Sequence, residues 1–241
     1  MKSIYRRNMG SAMSKYLILG NGLLGTELQQ QTGWDAITRE RDRFDLLNSY
    51  LFGRYMKGYD CIINCTGFTK DHSDKETNLA LNYKAVIDLV DYCNRQKKKY
   101  VHISTDIVYA GSVNSASEED VPVHARNWYA YSKLLADGYV QAVCEDYLLI
   151  RTAFKPRPFP YKTAYPKIGN FDYVDVITGL IVELIEGGAS GVYNVGTKLK
   201  TMLEHARETV PNIELNTDSS PVDVSMNISK LDLSRTKIGN A

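Results

Sequence analysis

The chain has 241 residues, of which 44% are hydrophobic, 10% aromatic and 24% charged, the mix of a globular protein and not of a disordered or fibrous one. Lys and Arg number 29 against 28 Asp and Glu, so no overall field draws the chain to nucleic acid or to an anionic membrane, and any anion site has to be built locally. Cys61, Cys65, Cys93 and Cys144 form no CxxC pair and the four His lack ligand spacing, which argues against a disulfide scaffold and a metal site. No apolar run approaches the roughly 18 residues of a membrane span. The expectation is a cytoplasmic protein with buried, reduced thiols.

Residues 1–12, MKSIYRRNMGSA, are basic, carry no secretory-signal pattern and read as an extension ahead of the start-like Met13-Ser14-Lys15. Strands and helices then alternate. Tyr16–Leu19 reads as a strand, Leu23–Gln31 as a helix, Asp35–Thr38 as a strand and Leu46–Met56 as a helix. Cys61–Cys65 is an apolar run, followed by a long helical pattern over Glu76–Arg95, a strand at Tyr100–Ser104, a helix at Trp128–Cys144 and a strand at Tyr147–Arg151. Such alternation implies parallel strands joined by crossovers, an α/β doubly wound sheet of Rossmann type. It breaks at Phe154–Asn170, which holds four Pro among cations and aromatics; a helix near Val174–Glu186, a strand at Val192–Val195 and a helix near Met202–Thr209 follow.

The first strand ends in Gly20-Asn21-Gly22-Leu23-Leu24-Gly25, a GxGxxG spacing. Residues without a Cβ let backbone N–H groups approach a pyrophosphate, and the following helix presents its positive end to that anion; tight packing is the alternative use of such a turn. After the second strand comes Thr38-Arg39-Glu40-Arg41, with no carboxylate at the strand end. Arg39 suits a 2′-phosphate, which favours NADP(H) and leaves NAD(H) open should Glu40 or Asp42 hold the ribose. Tyr129 and Lys133 lie one turn apart at the start of a helix. An ammonium beside the phenol would pull its pKa below about 10 and ready it for proton exchange; an amphipathic helix with Tyr131 as the buried ring is the alternative. Ser104-Thr105-Asp106 ends a strand at the edge where doubly wound sheets bind ligands, and Thr105 can hydrogen-bond a carbonyl oxygen there or merely cap the turn.

In order and spacing, LILGNGLLG (17–25), FDLLN (44–48), IINCTGFT (62–69), HISTDIVYAG (102–111) and YAYSK (129–133) resemble the extended short-chain dehydrogenase/reductases, within them the dTDP-4-dehydrorhamnose reductases and their relatives. RTAF (151–154), FDYVDV (171–176) and GVYNVG (191–196) extend the resemblance to Val195. It implies a nucleotide-binding domain over 13–153 and a small substrate lobe with the final sheet elements over 154–241. It also implies a catalytic Thr105, Tyr129 and Lys133. Cofactor would be held by Gly20, Asn21, Gly22, Leu23, Leu24, Gly25, Arg39, Asp45, Leu46, Cys65, Thr66, Gly67, Asn82 and Ser104 as well as Tyr129 and Lys133. Asp45 and Leu46 would flank adenine, and Phe68, Thr69, Asp106, Phe154 and Arg157 would meet the substrate.

Sugar-nucleotide 4,6-dehydratases resemble the same segment but follow the Thr with an Asp-Glu pair; here Ile107 follows Asp106, which suits ketone reduction better than elimination. The glycine turn is one residue shorter than the family's GxxGxxG, and the region beyond Arg151 is short for a full nucleotide-sugar lobe. The implied activity is NADPH-dependent reduction of a 4-keto group on a nucleotide-linked deoxysugar. A non-catalytic NADP-binding subunit and an NAD-dependent epimerase are the alternatives. The implied partner is a nucleotide-sugar, with no nucleic acid or membrane, and a homodimer is an open option.

Overall fold

The computed structural model describes residues 14–120 and 127–239. The expected extension over residues 1–12 lies outside them. Five strands, β1 (Tyr16–Leu19), β2 (Asp35–Ile37), β3 (Cys61–Asn64), β4 (Lys99–Ile103) and β5 (Tyr147–Thr152), join the later strand Gly191–Val195 in one six-stranded sheet. Every pairing in it is parallel. The order in space is Gly191–Val195, β5, β4, β3, β1, β2. The order reverses between β1 and β3, and that reversal opens a crevice beyond the carboxyl ends of the strands.

Both faces of the sheet are covered, which is why its strands read as short continuous apolar runs. Helices α1 (Leu23–Thr32) and α7 (Val174–Glu186) bury Leu24, Leu28, Ile177, Ile181 and Leu184 against Ile18, Ile63, Val101 and Ile150. The other face packs Leu17, Ile62, Tyr100 and Leu149 against α5 (Ala85–Gln96) and α6 (Trp128–Val143) through Val86, Leu89, Val90, Ala136 and Val140. The short helices α2 (Arg39–Asp42) and α3 (Phe52–Met56) follow β2, and Phe52 and Met56 enter the same core.

The helix expected over Leu46–Met56 starts later. Asp45 accepts from the Leu47 N–H at 3.0 Å and the Asn48 N–H bonds back to the Asp45 carbonyl, so the chain turns before a 3-10 segment, Ser49–Leu51, leads into α3. The pattern over Glu76–Arg95 is α4 (Lys75–Leu79), a π-helical turn (Ala80–Lys84) and α5 in succession; Asp74 caps its start and Lys97, with φ +51°, ends it. The proline-rich segment runs in short strands. Lys167–Gly169 lies between Lys200–Thr201 and Val222–Asp223, and Phe159, Phe171, Tyr173, Met202 and Ile213 form a separate small core near helix α8 (Met202–Arg207). Helix α9 (Ser229–Gly239) sets Leu231 against the α7 face of the sheet. Among the described residues, no helix is long and apolar enough to cross a membrane.

Candidate active site

Because the sheet is parallel, the residues after β1, β2, β3 and β4 all emerge at one edge. Gly20 has φ +97°, a conformation that favours glycine, and a Cβ on it would stand 3.0 Å from the Thr66 methyl. A Cβ on Gly25 would stand 2.2 Å from the Gly20 carbonyl oxygen, so only glycine lets α1 start this close to β1. Gly22 differs, since a Cβ there meets nothing within 4 Å. It is the N-cap of α1 and brings no side chain to cap it, so no side-chain cap satisfies the N–H groups at this positive helix end. Asn21 and Leu23 are exposed and Leu24 is buried in the core.

After β2, Thr38 caps α2 by accepting from the Arg41 N–H at 3.1 Å. The Asp42 carboxylate is occupied: it accepts from the Thr38 N–H at 2.7 Å and pairs with Arg41 at 3.0 Å. Arg39 is exposed. Asp45 is half-buried, whereas the Leu46 side chain belongs to the hydrophobic core, so only its backbone is available to a ligand. After β3, Cys65 and Thr66 are half-buried beside Gly20, and Gly67 and Thr69 are exposed. Asn82, fully buried in the π turn, accepts from the Phe68 N–H at 2.7 Å and donates to the Phe68 carbonyl at 3.0 Å. It also donates to Ser132 Oγ at 3.3 Å, which ties the Thr66–Thr69 loop to α6. Its amide is therefore engaged by the protein itself.

Asn127 caps α6 by accepting from the Ala130 N–H at 2.8 Å, and the Trp128 N–H bonds to the His72 carbonyl. The His72 ring stacks on Tyr129, with centroids 4.8 Å apart. Tyr129 is half-buried with the Thr105 side chain near its hydroxyl, while Tyr131 is the exposed ring. Lys133, one turn on, is buried and donates to the Ile103 carbonyl at 2.6 Å, with His102 Nε2 at 3.4 Å. The phenol's pKa is not pulled down as its spacing from Lys133 suggested. Burial pushes it up to about 12, against the lowering influence of the nearby Thr105 hydroxyl, and the charges of Asp106 and Asp137 add to the rise. Burial likewise lowers the Lys133 ammonium to about 8 despite the attraction of Asp137. Desolvation outweighs the neighbouring charge at both groups.

The residues expected at the substrate divide. Phe154 is half-buried on a short strand paired with Asp172–Tyr173. Arg157 lies 4.0 Å over the Tyr173 ring and 3.4 Å from Asp175, and its side chain stays exposed. Asp106 is buried and ion-paired with Lys167 at 2.7 Å. Ser104 is buried.

Sequence reasoning passed over His72 and the buried pair Asp137–Arg151, 3.0 Å apart. Of these only Asp137 carried a signal, its place one turn after Lys133 on the same helix face. It also passed over Asp172, His205 and Glu208, whose ligand atoms lie within 4.8 Å of one another. There the chain's own Lys200 ammonium sits 2.9 Å from Asp172 and 3.5 Å from Glu208.

The architecture is that of the extended short-chain dehydrogenase/reductases. A solved dTDP-4-dehydrorhamnose reductase from Bacillus anthracis, in complex with NADP, superposes with a TM-score of 0.79 at 21% identity over 93% of each chain. The family described as the RmlD substrate binding domain matches residues 14–155, and the chain belongs to that family. Among curated relatives, the spore coat polysaccharide biosynthesis protein SpsK of Bacillus subtilis is 29% identical over 153 residues, covering 59% of this chain and 53% of that protein. The dTDP-4-dehydrorhamnose reductase of Mycobacterium tuberculosis is 27% identical over 161 residues, covering 61% and 52%. The chain thus spans about half the length of the curated relatives it matches.

Proposed function

We propose that the protein is an NADPH-dependent reductase of the 4-keto group of a nucleotide-linked deoxysugar, with residues 13–153 holding the cofactor and 154–241 forming the substrate lobe. The observation that carries this reading is the meeting of Thr105, after β4, with Tyr129, with Lys133 one turn on, at the sheet edge that also holds the glycine turn. Family membership and the reductases among the relatives support it.

The glycine turn fits a dinucleotide. Gly22 leaves open space before uncapped helix N–H groups, the donor set a pyrophosphate needs. Gly20–Gly25 would hold that pyrophosphate, the Asp45 carboxylate and the Leu46 backbone would flank adenine, and Cys65, Thr66, Gly67 and Ser104 would line the crevice. Arg39 would pair with the 2′-phosphate, and Asp42, already committed to Thr38 and Arg41, is not free for a ribose hydroxyl, which favours NADP(H) over NAD(H). A solved relative's complex with NADP agrees. When bound, the cofactor supplies a hydride to the ketone carbon.

Tyr129 gives the proton to the ketone oxygen and Thr105 hydrogen-bonds that oxygen. A phenol kept protonated across the neutral range releases its proton only as negative charge grows beside it. Lys133 holds its ammonium at the base of the crevice and fixes the turn of the chain at Ile103. Phe68, Thr69 and Phe154 would wall the sugar. Pairing of two copies through exposed helices is part of the proposal and is read by sedimentation.

The test supplies purified protein with NADPH and dTDP-4-keto-6-deoxyhexose and follows absorbance of the nicotinamide band. Turnover is expected, and Tyr129→Phe is expected to lose roughly 10²–10⁴-fold in kcat with an unchanged thermal melt. Equal turnover by the variant overturns the proton donor. NADP binding without consumption points to a non-catalytic subunit, and NAD released on denaturation to an epimerase.

A further inference from the structure

Asp106 follows Thr105 directly and opens a 3-10 turn, Asp106–Tyr109, that Thr105 caps by accepting from the Ile107 N–H at 3.3 Å. The Asp106 side chain is withdrawn from water, and an isolated carboxylate there would be costly. Lys167 supplies the counter-charge: its Nζ is 2.7 Å from Asp106 Oδ2, and it too is buried. Lys167 begins the central strand of the three-stranded sheet and pairs with Val222 on one side, while the next residues, Ile168 and Gly169, pair with Thr201 and Lys200 on the other. A rigidly presented ammonium from the C-terminal region thus ends on the carboxylate next to the candidate catalytic threonine. Tyr165 shares this space: burial raises its pKa, Lys167 opposes the rise and Asp106 adds to it.

We infer that Lys167 is a positioning residue for the proposed reduction: its buried ammonium holds the Asp106 charge in place beside Thr105 and Tyr129 and ties the three-stranded sheet to the catalytic turn. The inference rests on Tyr129 being the proton donor. The groups that act on Tyr129 are Thr105 and Asp106 from the turn, Asp137 from its own helix, and the stacked His72 from the loop before α4; Lys133, on the same helix, is turned to the Ile103 carbonyl. Lys167 and Tyr165 face Asp106 from the other side. Removing Lys167 leaves a bare carboxylate beside the phenol and makes the phenolate harder to form. Removing the Asp106 charge leaves a bare ammonium and makes it easier.

The experiment measures the pH dependence of the reverse reaction, oxidation of the nucleotide-linked sugar alcohol by NADP⁺, in the wild type, Lys167→Met, Asp106→Asn and the double variant. Expected is a midpoint displaced upward in Lys167→Met and downward in Asp106→Asn, each by about tenfold in proton concentration, with the double variant returning toward the wild type. A pair that only supports the fold lowers both single-variant rates without moving the midpoints in opposite directions, and that result overturns the inference. Hydrogen exchange of residues 104–110 and 163–169, read on the same proteins without substrate, is expected to accelerate together in both single variants and to recover in Lys167→Arg. Unchanged exchange in both segments overturns the tie even if the wild type proves inactive, whereas inactivity with coupled exchange overturns the reductase reading alone.

Discussion

Lys133 lies almost wholly out of water and its ammonium is lowered to about 8 by burial. A cation whose folded pKa is below its unfolded value of 10.5 binds fewer protons folded than unfolded in the window between them, so stability rises as pH climbs from about 8 toward 10.5. Urea unfolding of the wild type and Lys133→Met is expected to show this directly. The variant gains relative to the wild type near pH 7, and the difference shrinks by on the order of 2–3 kcal/mol by pH 10.5. A difference independent of pH would mean that Lys133 keeps its ordinary proton affinity in the folded chain. The spacing of Tyr129 and Lys133 was legible as one helix face. The direction of their pKa shifts was not, because desolvation depends on what covers a side chain, and the cover comes from Ile103, His102 and Thr105 on another strand and its turn.

At the scale of elements, the glycine turn separates folding from binding. Gly25→Ala drives a Cβ to 2.2 Å from the Gly20 carbonyl and is expected to cost about 1–3 kcal/mol of stability as the helix start shifts. Gly22→Ala meets no protein atom, so thermal melts should barely move, while fluorescence titration with NADPH should show clearly weaker binding. Equal binding by Gly22→Ala would mean that the open space is not the pyrophosphate cradle. Asn82 makes the corresponding point for the helix pattern over Glu76–Arg95. The helix itself was readable from periodicity, but the π turn that aims Asn82 at the Phe68 backbone was not. Asn82→Ala abandons two backbone groups and is expected to destabilise by about 2–3 kcal/mol and to weaken NADPH binding. The apolar spacing of Leu46–Met56 misled because Leu46 enters the core from a turn, not from a helix.

Across the whole molecule, α6 is joined to the sheet by charge as well as by apolar packing. Arg151 on β5 donates to Asp137 at 3.0 Å and to the Tyr109 hydroxyl at 2.6 Å, and Tyr109 donates to Asn194 at 2.9 Å. This buried chain runs from the helix that carries Tyr129 to the last strand of the sheet. Arg151→Met strands the Asp137 carboxylate and is expected to cost about 3–5 kcal/mol in urea unfolding, part of it recovered in Asp137→Asn combined with Arg151→Met. Full additivity of the two substitutions would mean that the groups do not interact.

The order of strands and helices, the glycine turn and the one-turn spacing of Tyr129 and Lys133 were determined by the sequence alone, because each depends on residues within a turn or two of one another. Tertiary structure decided the rest. It set Asp106 against Lys167, Arg157 over the Tyr173 ring and Asn82 on the Phe68 backbone. Ion pairs and hydrogen bonds between segments far apart in the chain leave no periodic trace, since only the folded backbone fixes which charge each side chain meets.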